Sequence, residues 1–112
     1  IDAFDHENMA ASIANQEFFD ACKAVLKKDG LLVINLWGGN DNPQYGQCTD
    51  WLGCTFKQRT LFLPVRERGN VIGIAFNEDA PFFTLKHLRQ HALNLEQQYQ
   101  IEYPDFLKDL KK

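Results

Sequence analysis

Two short stretches carry the side chains that could do chemistry. The first is Asp2-Ala3-Phe4-Asp5-His6-Glu7, with three carboxylates and an imidazole within six positions. Carboxylates stay ionised at neutral pH, so they attract ammonium groups and can take a proton from an amine. The stretch could also hold a cationic substrate; Asp2 is the first candidate for a functional role, and Asp5 comes behind it because it can also cap the segment that follows. The plainer reading is that such residues cap the next helix or turn. The second stretch is Asn35-Leu36-Trp37-Gly38-Gly39-Asn40-Asp41. Asn35 and Trp37 could line a ligand, with Trp37 as an aromatic wall and the glycines allowing close backbone approach. The plainer reading is a strand exit. The glycines lack the lysine and serine or threonine of a phosphate loop, and Ser12 has no glycine elbow. Cys22, Cys48, Cys54, His6, His87 and His91 are not spaced as zinc ligands, and no metal is expected.

The elements that must position these stretches follow from patterning. Asn15 can cap a helix in which Phe18, Phe19, Cys22, Val25 and Leu26 form one apolar stripe, with Lys27 and Lys28 in its last turn. Gly30 would end that helix as a left-handed cap. Leu31–Trp37 is almost continuously apolar, the pattern of a strand buried on both faces in a parallel sheet. Ile1 reads as the tail of a preceding strand with Asp2 at its tip; if that strand neighbours Leu31–Trp37, both tips open onto the same crevice. Residues 50–56 read as a short helix or irregular chain. Residues 59–65 and 71–76 read as strands joined in a hairpin through Arg66-Glu67-Arg68-Gly69-Asn70. Thr84 would cap a long helix with Leu85, Leu88, Ala92, Leu95 and Tyr99 on one face. Tyr103-Pro104 opens a last helix with Phe106, Leu107 and Leu110 inward.

The 112 residues suffice for one small core; 45% are apolar and 24% charged, with a formal charge of −3. That balance suits a globular α/β protein and offers no basic patch for nucleic acid. No apolar run is long enough to span a membrane as a helix. Three cysteines without paired spacing point to a reducing, cytoplasmic setting.

The acidic tip, the Phe-Phe-x-x-Cys helix, the Leu-Leu-Val-Ile-Asn-Leu-Trp strand and the Gly-Asn-Val-Ile hairpin strand come in a recognisable order. In this the chain resembles the carboxyl-terminal half of the spermidine synthase family, the polyamine aminopropyltransferases. The resemblance implies one partial domain over residues 1–112, part of a Rossmann-like, class I methyltransferase-like fold. Parallel strands would be followed by an antiparallel hairpin, all flanked by helices. It implies that Asp2 assists deprotonation of the attacking amine, that Asp5 contacts the substrates, and that Asn35 lies where the family usually has a glutamine near the polyamine. The reaction implied moves an aminopropyl group from decarboxylated S-adenosylmethionine to putrescine. The tip departs from the family's Asp-Ser/Thr-Ser/Thr-Asp-Pro-x-Gly-Pro, and Leu63-Pro64-Val65-Arg66 stands where a Tyr-Pro element is usual. Arg66 and Arg68 would repel a polyamine if they faced it. The cofactor-binding residues would lie in an upstream half, so the fragment alone is expected to be inactive. Two other readings remain at this point: an S-adenosylmethionine-dependent methyltransferase, and a non-catalytic module whose unpaired strand edge pairs with another copy.

Overall fold

The computed structural model describes Ile1 and residues 15–37, 44–82 and 85–111. Its centre is a three-stranded sheet of β1 (Leu31–Trp37), β2 (Thr60–Pro64) and β3 (Asn70–Phe76), in the order β1-β3-β2. Both pairings are antiparallel, with Ile34 opposite Gly73 and Phe62 opposite the same glycine. Since β1 and β2 each oppose β3, they run in the same direction, and β3 occupies the position between them. The hairpin is where it was expected. The expected parallel neighbour of β1 is reduced, among the described residues, to Ile1. The Ile1 amine donates to the carbonyl of Val33 at 2.8 Å, and the Asn35 N–H donates to the Ile1 carbonyl at 2.9 Å. One residue bridging positions 33 and 35 of its neighbour is the parallel hydrogen-bond pattern.

Helix α1 (Gln16–Val25) is capped as the sequence indicates: the Asn15 side chain accepts from the Phe18 N–H at 2.8 Å. Its end differs. The helix stops at Val25, and Leu26 is already extended, so Lys27 and Lys28 lie beyond the last turn. Gly30 has no left-handed conformation and closes a turn by donating to Lys27 O at 2.9 Å. Val25 is 85% exposed and leaves the apolar stripe, which Phe18, Phe19, Cys22 and Leu26 complete.

Helix α2 (Tyr45–Thr55) starts well before the residues expected to be helical. Its Cys48 and Leu52, with Phe56 just beyond, join Phe19, Leu32, Ile34, Leu36 and Ala75 in one buried cluster. These are the even positions of β1 and the odd positions of β3, which the register places on one face. Gly73 lies on that face, where a Cβ would come within 3.1 Å of Ile34 Cγ2 and 3.5 Å of Leu52 Cδ2. The tight approach is to Ile34 on the neighbouring strand, whereas Leu52 of α2 would meet that Cβ at ordinary van der Waals distance. The two helices are tied by a polar link in which Thr55 Oγ1 donates to Asp20 Oδ1 at 2.8 Å and Gln16 Nε2 donates to the Trp51 carbonyl at 3.0 Å.

The burial of β1 corrects the reading of a strand covered on both sides. Its positions alternate, with Leu32, Ile34 and Leu36 buried while Leu31 is 48% and Val33 42% exposed. Leu31 to Ile34 carry no polar residue, and Asn35 alone marks the open face, so near-continuity of apolar residues could not reveal it. On that opposite face α3 (Leu85–Tyr99) and α4 (Tyr103–Leu107) pack on each other and on the β2–β3 side, around Leu63 and Ile74. Phe106, expected inward, is about half exposed, as is Tyr99. Thr84, the expected cap of α3, lies outside the described residues. Past α4 the chain returns to the sheet: Phe62 and Lys111 exchange both backbone hydrogen bonds, at 2.5 and 2.7 Å, closing the outer edge of β2.

Candidate functional site at the carboxyl end of β1

The face of β1 opposite the buried cluster carries Leu31, Val33, Asn35 and Trp37. Asn35 is half buried and is the one carboxamide in an otherwise apolar strand. Its register partner is Ile72, and that of Trp37 is Asn70, so Asn35 and Asn70 are diagonal neighbours on one face. The side chains meet: Asn70 Nδ2 donates to Asn35 Oδ1 at 2.9 Å. Trp37, also half buried, ends the strand beside them.

The backbone of Asn35 is held as well, by the Ile1 carbonyl that accepts its N–H. Asp2 is joined to that carbonyl by one peptide bond. Asp2 and Asp5, with His6, Glu7, Gly38 and Gly39, lie outside the described residues. The described part of the expected site is therefore Asn35 and Trp37, with Asn70 added to them. Sequence reasoning passed over Asn70 as a hairpin residue. The signal that could have found it is that β1 and β3 each hold one carboxamide among apolar residues, and partly buried polar groups find partners.

Arg66 is not turned towards this site. Its Nε donates to Asp109 Oδ2 at 2.5 Å and its Nη1 to Asp105 Oδ2 at 2.8 Å, while Nη2 reaches the Asp105 carbonyl at 2.7 Å. These bonds pin the hairpin loop to α4. They also raise the Arg66 pKa above its usual value and hold the Asp105 carboxyl below the carboxylate range, chiefly through the hydrogen bond to Arg66. Elsewhere, Glu78 receives Lys23 and Lys57, each at 3.3 Å, and its carboxyl is lowered mainly by those hydrogen bonds.

Tyr45 and Cys48 serve packing, Cys48 within the buried cluster and Tyr45 against it. Burial raises the Tyr45 phenol and pushes the Cys48 thiol up to about 11, so neither is poised as a nucleophile or base near neutrality. Cys22 and Cys54 are free thiols. Among the described residues no cluster of His, Cys, Asp or Glu could hold a metal, and no helix is long and apolar enough to cross a membrane. A separate cavity of about 310 Å³ lies between the sheet and α3–α4; Leu63, Ile74, Leu88, Leu95 and Leu107 give it nearly apolar walls, with His91 and Tyr103 as its polar groups.

Over all 112 of its residues the chain is 30% identical to a polyamine aminopropyltransferase of Chromobacterium violaceum, of which it spans 42%. Over 111 residues it is 30% identical to the polyamine aminopropyltransferases of Neisseria meningitidis serogroups A and B, spanning 41% of each. The chain is thus similar along its whole length to polyamine aminopropyltransferases, and it spans about two fifths of theirs. No protein-family model matches it, and no solved structure matches it.

Proposed function

We propose that this chain is the carboxyl-terminal part of a spermidine synthase-like domain, and that the protein carrying it transfers an aminopropyl group from decarboxylated S-adenosylmethionine to a small amine such as putrescine. The observation that carries this reading is the similarity of the entire chain to polyamine aminopropyltransferases. The local geometry supports it. The carbonyl of Ile1, whose next residue is Asp2, accepts from the N–H of Asn35, which joins the two stretches singled out for chemistry. The parallel pairing of Ile1 with β1, and the common direction of β1 and β2, are what a partial methyltransferase-like sheet requires.

An amine attacks only when its lone pair is free, so an ammonium must first lose a proton. Asp2 takes that proton. The amine nitrogen then forms a bond to the aminopropyl carbon attached to the sulfonium, the carbon–sulfur bond breaks, and its electron pair leaves a neutral thioether. Asn35, Trp37 and Asp5 hold the amine, and the aminopropyl donor is bound mainly by residues of an amino-terminal half. The protein acts in the cytoplasm.

The test uses the whole protein with decarboxylated S-adenosylmethionine and putrescine. Spermidine and the thioether product are expected. Asp2→Asn should lower kcat by on the order of 10²–10⁴, the usual contribution of a positioned base. Methyl transfer from S-adenosylmethionine without aminopropyl transfer would establish the methyltransferase reading instead. The isolated 112-residue chain is expected to turn over neither substrate.

A further inference from the structure

We infer that Asn70 is a positioning residue for the amine, acting through Asn35; this rests on the reading of Asn35 as an amine contact. The starting point is the ambiguity of a carboxamide. Rotation about its last bond is soft, and half a turn exchanges a donor for an acceptor. An Asn35 free to turn would offer an incoming amine either face. The bond from Asn70 Nδ2 to Asn35 Oδ1, 2.9 Å long and partly buried, selects one orientation.

Three features make Asn70 suited to that task. It is the first residue of β3, and its register partner is Trp37, which puts its carboxamide on the same face as the candidate site. Its own backbone is fixed, because its carbonyl closes the hairpin by accepting from the Val65 N–H at 2.9 Å. The loop it leaves is held to α4 through Arg66, Asp105 and Asp109. A reference point for Asn35 therefore comes from a segment that is anchored on two sides.

The chemistry favours a neutral pair here. A carboxylate close to the amine stabilises its protonated form, which cannot attack. A carboxamide can hold the same amine by hydrogen bonding with a much smaller effect on its protonation. Asp2 is then the carboxylate that removes the proton, and the Asn35–Asn70 pair sets where the nitrogen stands when it does so.

The experiment is a double-mutant cycle in the whole protein, measuring KM for the amine, KM for the aminopropyl donor, and kcat. Asn35→Ala and Asn70→Ala should each raise the amine KM, by about tenfold and a few-fold respectively, as expected for loss of a hydrogen-bonded contact and of its support. The donor KM should not move. The double variant should be no worse than Asn35→Ala alone, because Asn70 has nothing left to position. Asn70→Asp keeps size and shape but removes the donor; it should shift the Asn35 side-chain amide resonances, since that carboxamide must turn to face the new carboxylate. Full additivity of the two alanine variants, an equal rise in both KM values, or unmoved Asn35 amide resonances in Asn70→Asp would overturn the inference. If Asn35→Ala leaves the amine KM unchanged while Asp2→Asn still abolishes turnover, the role of Asn35 falls and this inference with it. If the unaltered protein transfers no aminopropyl group, the proposed function itself is what has failed.

Discussion

The two faces of the sheet are built from similar residues but are packed to different degrees. Against α1 and α2, Phe19, Ile34, Leu36, Leu52 and Phe56 are almost wholly removed from water, and a side chain at Gly73 would press on the buried Ile34. Against α3 and α4, Leu63 and Ile74 border a cavity, Ala92 alone of α3 is buried, and Leu31 and Val33 stay open. The difference lies in spacing more than in composition. On the first face, aromatic and branched side chains from two helices interlock over the strands. On the second, a helix of low average hydropathy and a five-residue helix bridge the far side of the sheet and leave β1 uncovered. The asymmetry separates a rigid face, which fixes the sheet, from an open one, which carries the candidate site at the end of β1.

Substitution at the packed face should have the largest effect. Phe19→Ala should cost about 3–5 kcal/mol in chemical denaturation, the usual range for emptying a buried phenylalanine site; a loss below about 1 kcal/mol would erase the contrast. Gly73→Ala should come next, at about 1–3 kcal/mol, because Ile34 Cγ2 at 3.1 Å is itself buried and has little room to yield. On the other face Leu88→Ala, at a half-buried position beside the cavity, should cost only about 1 kcal/mol. Smallest is Arg66→Ala, which removes two surface ion pairs, with Asp105 and Asp109, and should lower the melting temperature slightly at low salt and hardly at all at high salt.

The same variant tests a pH dependence. The Asp105 carboxyl is lowered in the folded chain, so its contribution is present above the ordinary carboxylate pKa of about 4 and is lost as pH falls through the lowered value. Acid melting curves of Arg66→Ala should accordingly flatten in that range. Thiol labelling gives a chemical measure of the two environments. Cys54, which is exposed, should react first at neutral pH, and Cys48, buried with its thiol pushed up to about 11, should react only on opening of the fold.

The sequence revealed most where a residue has a local reason for its place. Asn15 caps α1 because its side chain reaches the third residue on, and the hairpin forms because two apolar runs flank a polar loop. It revealed less where long-range pairing decides. The strand order depends on β3 entering between β1 and β2, and nothing in β1 itself announces an antiparallel neighbour. Burial of β1 was misread for the same reason, as was the inward placing of Phe106. Of the site, Asn35 and Trp37 could be picked out by their place at a strand end. Asn70 depends on the register between strands 35 residues apart, which no local pattern encodes. Asp2 and Asp5 rest on the resemblance and on proximity in sequence to Ile1.

The pairing of Lys111 with Phe62 has a consequence for how the chain opens. The two residues are joined by a pair of backbone bonds at the very end of a segment that has no other ladder with the sheet among the described residues. Such a clasp closes late and releases early, in a motion that leaves the remaining strands paired. In hydrogen exchange the Phe62 and Lys111 amides should form a fast pair of their own, trading with solvent well before those of β3. Each brief release bares the edge of β2, and proteolysis at the tail would make that exposure permanent, turning a protected margin into a template for another chain.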